Sequence, residues 1–331
     1  MPYQRTFMTL GMFIMDRFEY LDEDGQPTGR EAEEQASGGG TYAAIGARMF
    51  LPDEQVAMIV DRGHDFQPSV QETLNSYGNR MWIFRDHQDR ETTRALNLYR
   101  GEHRGFEYLT PRLRITPKDY TDEQRGRYLH FICSPKRAKE IMSQVGGIPE
   151  WDPVTIFEPI PDRCVPSELP ALRDILQVIH ILSPNASEAC NLLSIQYQDE
   201  PDKETVERAA DILYSFGIGP RGQGAVVIRS GASGAYVKDS QSKGKWVDAY
   251  YTAIDAGRVV DVTGAGNAFL GGLAAGLSLC EDDIYIATVY GTVAASFVIE
   301  QHGLPSLMNN RWNDGDPVER VQEVVARQQQ K

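Results

Sequence analysis

The chain is poor in the residues that build metal centres, disulfide frameworks and nucleic-acid surfaces. It has 331 residues but only 4 cysteines and 6 histidines, and no two cysteines stand in CxxC or CxxxC spacing. This pattern fits neither a zinc site nor a disulfide scaffold, and a reducing, cytoplasmic compartment is expected. Basic residues are also scarce, with 33 lysines and arginines against 47 aspartates and glutamates, a formal net charge of −14. Nucleic acid and anionic membranes require a basic face and are therefore not expected as main partners.

Long apolar runs are few, and the best-known nucleotide motif is absent. Residues 262–280 carry no charge, and Gly272 and Gly276 stand in the GxxxG spacing of membrane helices. Because further glycines, Thr263 and Asn267 interrupt this run, a helix buried in a soluble core is the better interpretation. No membrane partner is expected.

The pattern GxxxxGK[ST] occurs nowhere in the sequence, which excludes a P-loop nucleotide site.

Short β-rich runs alternate with helical patterns through most of the sequence. This alternation predicts parallel strands joined by crossover helices, in a single α/β domain that covers residues 1–331. The C-terminal third is predicted to be helical, beginning with a helix over 267–279. The predicted strands are 5–15, 55–61, 127–133, 154–159, 177–185, 225–231 and 235–239.

Two polar segments break this rhythm, residues 16–36 and 91–109. Both alternate like strands that project from the main sheet, the second around Gly101. We predict that together they form a small β lid over the carboxyl edge of the sheet, where α/β proteins bind ligands. Surface hairpins without a function are the alternative. The open edges of lid strands would also allow a homodimer to form through the lid.

Residues 261–277, DVTGAGNAFLGGLAAGL, combine a glycine-rich turn with the start of a small-residue helix. The backbone N–H groups of Gly264, Ala265 and Gly266 can converge on an anion at the positive end of the helix dipole. The glycines would allow that anion to approach closely. Plain helix packing is the alternative explanation for the same residues.

This segment resembles the second signature of the ribokinase or PfkB carbohydrate-kinase family, DTxGAGDxFxGG. Residues 36–50, 183–193 and 226–237 resemble three further elements of that family in the same order. The variants GGGTYAAIGAR and GAGN are most similar to a fungal branch related to the yeast maintenance-of-killer proteins. The resemblance implies a three-layer ribokinase-like fold, with a central, mostly parallel sheet flanked by helices. It also implies an ATP-dependent phosphotransferase that acts on a small polar molecule, sugar-like or nucleoside-like.

The resemblance assigns the substrate side to Asp16, Gly39 and Gly40. Asp16 matches the acidic residue that binds substrate hydroxyls, although a turn-capping aspartate would give the same pattern. Gly39 and Gly40 match the glycine pair that lets the substrate lie against the backbone.

The resemblance assigns the metal ions to Asn185, Glu188 and Asp261. Asn185 and Glu188 match the PNxxE positions that organise Mg²⁺ and its waters near the phosphates. The same two residues are spaced as a helix N-cap and its capping-box partner, and both interpretations can hold together. Asp261 matches a position that helps to bind a monovalent cation, such as K⁺, in some members.

The nucleotide is assigned to Arg229, Gly231, Gly234 and Thr263, with Ser230 between them. Arg229 stands where a threonine is more usual in the family, which leaves the phosphate contact at this position open.

Asn267 stands where the family has the aspartate that accepts the proton of the attacking hydroxyl. An amide has no basic site of useful pKa, and the loss of a general base costs about 10² to 10⁴ in rate. Four alternatives follow. The protein transfers phosphate with atypical base chemistry, it activates a nucleophile that is already anionic, it is a non-catalytic pseudokinase that binds a ligand or partner protein, or the asparagine was introduced to trap a complex.

Overall fold

Strands and helices alternate along nearly the whole chain. The structure, a computed structural model, describes residues 4–29, 33–100, 103–241 and 243–330. The strands are β1 (Arg5–Thr9), β2 (Ile14–Leu21), β3 (Glu33–Ser37), β4 (Val56–Arg62), β5 (Trp82–Asp86), β6 (Arg94–Arg100), β7 (His103–Tyr108), β8 (Gly126–Cys133), β9 (Val154–Pro159), β10 (Ile181–Leu182), β11 (Ala225–Arg229), β12 (Ala235–Lys238), β13 (Lys245–Val247), β14 (Leu307–Met308) and β15 (Arg311–Trp312). The helices are α1 (Gly39–Arg48), α2 (Pro68–Ser76), α3 (Pro135–Gly146), α4 (Leu169–Leu176), α5 (Ala186–Leu192), α6 (Lys203–Ser215), α7 (Ala265–Leu279), α8 (Ile284–Val298) and α9 (Pro317–Gln329).

The main sheet has nine strands in the order β13-β12-β11-β10-β9-β8-β1-β4-β5. The seven strands from β11 to β5 are parallel, and β12 and β13 are antiparallel to their neighbours. Strands such as β4 are apolar and buried at successive positions, as expected for a sheet covered on both faces. The chain leaves β1 towards β4 in one direction and later builds β8 on its other side. Such a reversal opens a crevice at the carboxyl ends of the strands.

Two apolar layers cover the sheet. One contains buried residues of α1, α7, α8 and α9, and the other contains buried residues of α3, α4, α5 and α6. The predicted three-layer fold is therefore confirmed. None of the helices in the described part of the chain is long and apolar enough to cross a bilayer.

Helix α7 is buried over Ala268–Leu277, which explains the absence of charge there, and its glycines allow close packing. A Cβ at Gly271 would lie 1.9 Å from the carbonyl oxygen of Ala43 in α1, and one at Gly272 would lie 2.6 Å from that of Tyr290 in α8. Helix α7 is thus wedged between two neighbours at a distance that only glycine permits.

A separate small sheet, in the order β3-β2-β6-β7, stands beside the main one. Strand β2 is antiparallel to β3 and parallel to β6, and β6 is antiparallel to β7. The single strand predicted over 5–15 is wrong, because the chain leaves the main sheet after β1 and enters the small sheet at Ile14. Residues 30–32 of the first predicted lid segment, and the turn predicted around Gly101, lie outside the described residues.

Three further elements differ from the sequence prediction. The strand predicted over 177–185 is reduced to β10, Ile181–Leu182. Strands β5 and β13 were missed, and both are edge strands of the main sheet with mixed burial. Edge strands carry a weaker apolar signal because less of their surface is covered.

Candidate active site

Several polar side chains meet at the carboxyl edge of the main sheet. Glu158 lies near the end of β9, Arg229 ends β11, and Ser183 follows β10. The amino terminus of α7, with Asn267 in its first turn, reaches the same place. Parallel strands bring these ends together although the residues are far apart in the sequence.

Asn267 is bonded to a carboxylate that sequence reasoning missed. Its Nδ2 donates to Oε2 of Glu158 at 2.7 Å, across 109 residues of sequence. A Cβ built on Gly39 would lie 3.1 Å from the same Nδ2 atom, so Asn267 lies directly beside one of the glycines assigned to the substrate. The amide nitrogen faces the carboxylate, which leaves Oδ1 as the atom able to accept a hydrogen bond from a ligand.

Arg229 is the counter-ion of this carboxylate. Its NH2 lies 2.8 Å from Oε1 of Glu158 and 3.6 Å from Oε2 of Glu188, and it donates to the carbonyl oxygen of Ser183 at 3.1 Å. Its NH1 packs on the glycine-rich turn, where a Cβ at Gly266 would lie 1.9 Å away. Gly266 therefore makes room for a guanidinium. We call Glu158, Arg229, Asn267, Glu188 and His130 the Arg229 cluster.

Glu158 is held as a charged carboxylate. Burial works against the charge, but Arg229, His130 and Asn267 outweigh it and lower the pKa of Glu158. His130 Nε2 lies 3.4 Å from Oε2 of Glu158, and its Nδ1 lies 2.9 Å from Oγ1 of Thr9. Oγ1 of Thr9 also accepts from the backbone N–H of Gly11. A charged carboxylate can only accept a hydrogen bond, so the ring nitrogen that faces Glu158 must carry a proton. We therefore assign the ring proton to Nε2, which donates to Glu158.

Asn185 and Glu188 form a reciprocal capping box at the start of α5. The backbone N–H of Asn185 donates to Oε2 of Glu188, and that of Glu188 donates to Oδ1 of Asn185, both at 2.8 Å. Burial and the nearby charge of Glu158 raise the pKa of Glu188, while Arg229 and the Asn185 N–H oppose the shift. The environment thus separates the pKa values of two carboxyl groups that share one arginine.

The glycine-rich turn is held by local contacts. Gly264 has φ of +79°, and a Cβ there would lie 2.3 Å from the ring of Tyr42. Oδ1 of Asp261 accepts from the backbone N–H of Thr263 at 2.9 Å, and Oδ2 lies 3.6 Å from Nδ1 of His302. The residue assigned to a monovalent cation thus shapes the turn and faces a histidine ring.

A cavity of about 620 Å³ opens on the outer side of this turn. Its walls include Arg229, Ser230, Gly231 and Gly234 from the assigned nucleotide positions. Nε of Arg229, Oγ of Ser230 and Oγ1 of Thr263 are buried, and within the described residues none of these atoms has a hydrogen-bond partner. Arg229 and Ser230 line the cavity, and Thr263 lies in the sequence between Val262 and Ala265, which also line it. Buried polar atoms are normally satisfied, so unsatisfied atoms of this kind indicate a polar ligand.

The residues assigned to the substrate come from the small sheet and from the start of α1. Asp16 is buried in β2 of the small sheet. Burial raises the pKa of Tyr108 in β7, the charges of Asp16 and Asp162 act in the same direction, and Arg112 opposes the shift. Gly40 packs on Gly11, where its Cβ would lie 2.2 Å from the carbonyl oxygen.

The arrangement of these elements agrees with a known family. The model of the pfkB family of carbohydrate kinases matches residues 7–310. The chain belongs to the PfkB family.

Relatives and solved structures agree with this family. An uncharacterized protein of Schizosaccharomyces pombe is 33% identical, with 96% of this chain and 92% of that protein covered. Protein MAK32 of Saccharomyces cerevisiae is 31% identical, with 90% and 85% covered. The crystal structure of ribokinase from Cryptococcus neoformans in complex with ADP has a TM-score of 0.67 at 17% identity, covering 98% of this chain and 99% of that one. The predicted family, and its similarity to fungal proteins, are confirmed.

The donor atoms decide whether the magnesium ion that the PfkB family implies fits here. In the parts of the chain that the structure describes, no group of three or more histidine, cysteine, aspartate or glutamate side chains is arranged to hold a metal ion. Asn185 Oδ1 and Glu188 Oε2 are engaged in the capping box. A fixed guanidinium lies 3.6 Å from Glu188 and would repel a divalent cation there. This donor set does not fit a magnesium ion bound directly by these side chains, and the water-mediated site at Asn185 and Glu188 stays a prediction.

Proposed function

We propose that the protein transfers the terminal phosphoryl group of ATP to a hydroxyl group of a small sugar-like or nucleoside-like molecule. The observation that carries this proposal is the position of the turn at Gly264–Gly266. Ala265 and Gly266 border a cavity whose wall contains the unsatisfied Nε of Arg229 and Oγ of Ser230, and the next residue, Asn267, lies beside Gly39. A phosphoryl group at this turn would have its donor nucleotide in the cavity and its acceptor beside Gly39.

In this proposal Asn267 positions the attacking hydroxyl and does not act as a base. Its Oδ1 would accept a hydrogen bond from the attacking hydroxyl, because Nδ2 is bound to Glu158. The hydroxyl oxygen forms the new bond to phosphorus as the bond to the leaving diphosphate breaks. Phosphoryl transfer has a loose transition state and depends mainly on positioning and charge stabilisation. The proton can therefore leave late, to water or to the transferred group, at the cost in rate of a missing base.

Magnesium enters this proposal only as the companion of ATP in solution. The triphosphate can bring its own ion, whereas Asn185 and Glu188 are engaged with each other and with Arg229. The small sheet would act as the lid over the acceptor, since Asp16 and Tyr108 both lie in it.

The test exchanges the amide and the carboxylate of Asn267 and Glu158. Asn267→Asp alone would place a second carboxylate about where the amide now donates, 2.7 Å from Glu158. Mutual repulsion would raise the pKa of one of them, so we expect the single variant to gain little. In Asn267→Asp with Glu158→Gln, one carboxylate and one amide remain and the hydrogen bond is reversed.

We expect the double variant to form ADP about 10²-fold faster than the wild type on its best acceptor in a panel of sugar and nucleoside alcohols. Glu158→Gln alone is the matched control, because it removes the same charge without supplying a base. Equal rates for the double variant, the control and the wild type would contradict the assignment of residue 267 to the acceptor site.

A second candidate is a PfkB-like pseudokinase that binds a ligand without phosphoryl transfer. The observation that favours it is the guanidinium of Arg229 packed on Gly266, in the place where a phosphate would approach the turn. Ligand-dependent thermal stabilisation without ADP formation, in the wild type and the double variant alike, would decide for it. ATP-dependent activation of an anionic nucleophile would instead yield an acyl phosphate that hydroxylamine traps.

A further inference from the structure

We propose that Arg229 is the built-in cation of the phosphate site and replaces a protein-bound magnesium ion, so that phosphoryl anions bind without a divalent metal. This inference rests on the proposed use of a nucleoside triphosphate and deepens it. It concerns the binding of the anion, which can be measured without knowing the acceptor.

The guanidinium lies next to the turn at which an anion would be bound. It lies against Gly266, at the amino terminus of α7. Its NH2 group is anchored by Glu158 and by the carbonyl oxygen of Ser183. Its Nε, in contrast, is buried and has no hydrogen-bond partner in the described chain. The NH2 group of Arg229 is therefore fixed in place, while its Nε is still an unsatisfied donor.

Two further unsatisfied donors lie near the same cavity. Ser230 adjoins Arg229 in the sequence, Thr263 adjoins the glycine-rich turn, and the hydroxyl oxygens of both are buried without a partner among the described residues. A phosphoryl group offers several acceptor oxygens and binds guanidinium groups through charge-assisted hydrogen bonds. One such group would satisfy donors that come from two separate segments of the chain.

In the Arg229 cluster the guanidinium takes the position that a shared metal ion would take. Two carboxyl groups, Glu158 and Glu188, approach Arg229 at 2.8 and 3.6 Å, as they would approach a shared metal ion. Asn267 adds no charge, whereas an aspartate in its place would add a negative charge beside Glu158. The neutral amide therefore keeps the surroundings of Arg229 from becoming strongly anionic. The unusual arginine and the unusual asparagine belong to one electrostatic arrangement.

The experiment is calorimetric titration of the full chain with ATP, and separately with pyrophosphate, in excess MgCl₂ and in excess EDTA. We expect the affinity of the wild type for ATP to change less than about threefold between the two conditions. Arg229→Thr restores the residue that is more usual in the family. In EDTA we expect it to bind ATP roughly 10- to 100-fold more weakly than the wild type, because charge-assisted hydrogen bonds are lost. Magnesium should restore part of that loss.

Two further variants separate a charge effect from a folding effect. Arg229→Thr leaves Glu158 buried and unpaired, so Arg229→Thr with Glu158→Gln is titrated beside it, and circular dichroism checks the fold of both. Arg229→Lys keeps the charge and should retain most of the metal-free affinity. If the lysine variant is as weak as the threonine variants in EDTA, a cationic role for residue 229 is overturned.

The remaining outcomes separate this inference from the proposed function. Binding of ATP by the wild type only when magnesium is present overturns the inference and leaves the kinase proposal in place. Metal-free binding of pyrophosphate but not of ATP supports the inference and removes ATP as the donor. Failure of both probes at millimolar concentration, with or without magnesium, overturns the inference and the ATP-dependent function together. It would indicate that the guanidinium of Arg229 only packs against the glycine-rich turn.

Discussion

The Arg229 cluster and the cavity beside it share Arg229, but they differ in hydrogen bonding. Polar groups are paired in the cluster and unsatisfied beside the cavity. Inside the cluster, Glu158 is bonded to Arg229, Asn267 and His130. On the cavity side, Nε of Arg229, Oγ of Ser230 and Oγ1 of Thr263 are buried with no partner in the described chain.

This difference separates stability from binding. A buried charge that is fully paired becomes costly when one partner is removed, so the cluster contributes to the stability of the folded state. A buried hydroxyl without a partner already carries a desolvation penalty, which a ligand can relieve. Apart from Arg229, which belongs to both, substitutions in the cluster should therefore mainly change the free energy of unfolding, and those on the cavity side should mainly change affinity.

The largest effect is expected from Glu158→Gln. The change leaves the guanidinium of Arg229, which is only 11% exposed, without its closest charge partner. We expect the free energy of unfolding to fall by about 3 kcal/mol or more, measured by urea denaturation. The control is Glu140→Gln, which breaks the exposed pair with Arg137 and should cost at most about 1 kcal/mol. Equal losses in the free energy of unfolding for the two variants would show that the cluster does not stabilise the folded state more than a surface pair does.

Gly266→Ala should have the next largest effect, because it acts on both sides of the comparison. The new methyl group would lie 1.9 Å from NH1 of Arg229 and must displace it. We expect a loss of about 1–3 kcal/mol in the free energy of unfolding, together with weaker ATP binding. Gly257→Ala is the control, since its new methyl group would meet no heavy atom of the described chain within 4 Å beyond its neighbours in sequence. An unchanged affinity in Gly266→Ala would separate the turn from the anion site.

Thr263→Val should have a smaller effect, in opposite directions on the stability of the fold and on the affinity for ATP. Removing an unsatisfied hydroxyl should leave the free energy of unfolding unchanged or raise it by up to about 1 kcal/mol, and should lower ATP affinity by about fivefold. Thr292→Val is the control, because Thr292 lines the cavity and its hydroxyl is already satisfied by donating to the carbonyl of Val289 at 3.0 Å. Loss of affinity only in Thr292→Val would reverse our assignment of the ligand-facing side.

The smallest effect concerns Asp65, which joins the main sheet to the small sheet. Burial opposes its charge, but hydrogen bonds from Thr92 and Arg94 lower the pKa of Asp65 to about 2. Its stabilisation should be fully present above the unfolded pKa of about 3.9 and lost as the pH falls through about 2. Thermal unfolding of the wild type and Asp65→Asn should differ at pH 6 and converge near pH 2. A difference that stays constant with pH would indicate that the charge of Asp65 does not contribute.

Much of the fold could be predicted from local patterns in the sequence. Alternating strand and helix patterns depend on which side chains repeat along one face, and that information is local. The same is true of the capping box at Asn185 and Glu188, whose partners are three residues apart. Edge strands such as β5 and the reduced strand β10 were not predicted correctly, because their apolar signal depends on how much of each strand the rest of the fold covers.

The candidate site was predictable only in part. The sequence by itself determined the glycine-rich turn, the uncharged helix behind it, and the presence of Asn267 and Arg229 at unusual positions, because each is recognisable within a few residues. Glu158 has the weaker signal of a single acidic residue at the end of an apolar strand, and nothing in its neighbourhood says what it faces.

Only the tertiary structure decided that Glu158, Arg229 and Asn267 form one charged group. The order of strands in the sheet places the ends of β9 and β11 on the two sides of the short strand β10, and the amino terminus of α7 reaches them across 109 residues in the case of Glu158 and Asn267. Burial there excludes water, so each charge must be balanced by its neighbours. Electrostatic balance between distant segments is a property of the packed chain, and no local pattern in the sequence contains it.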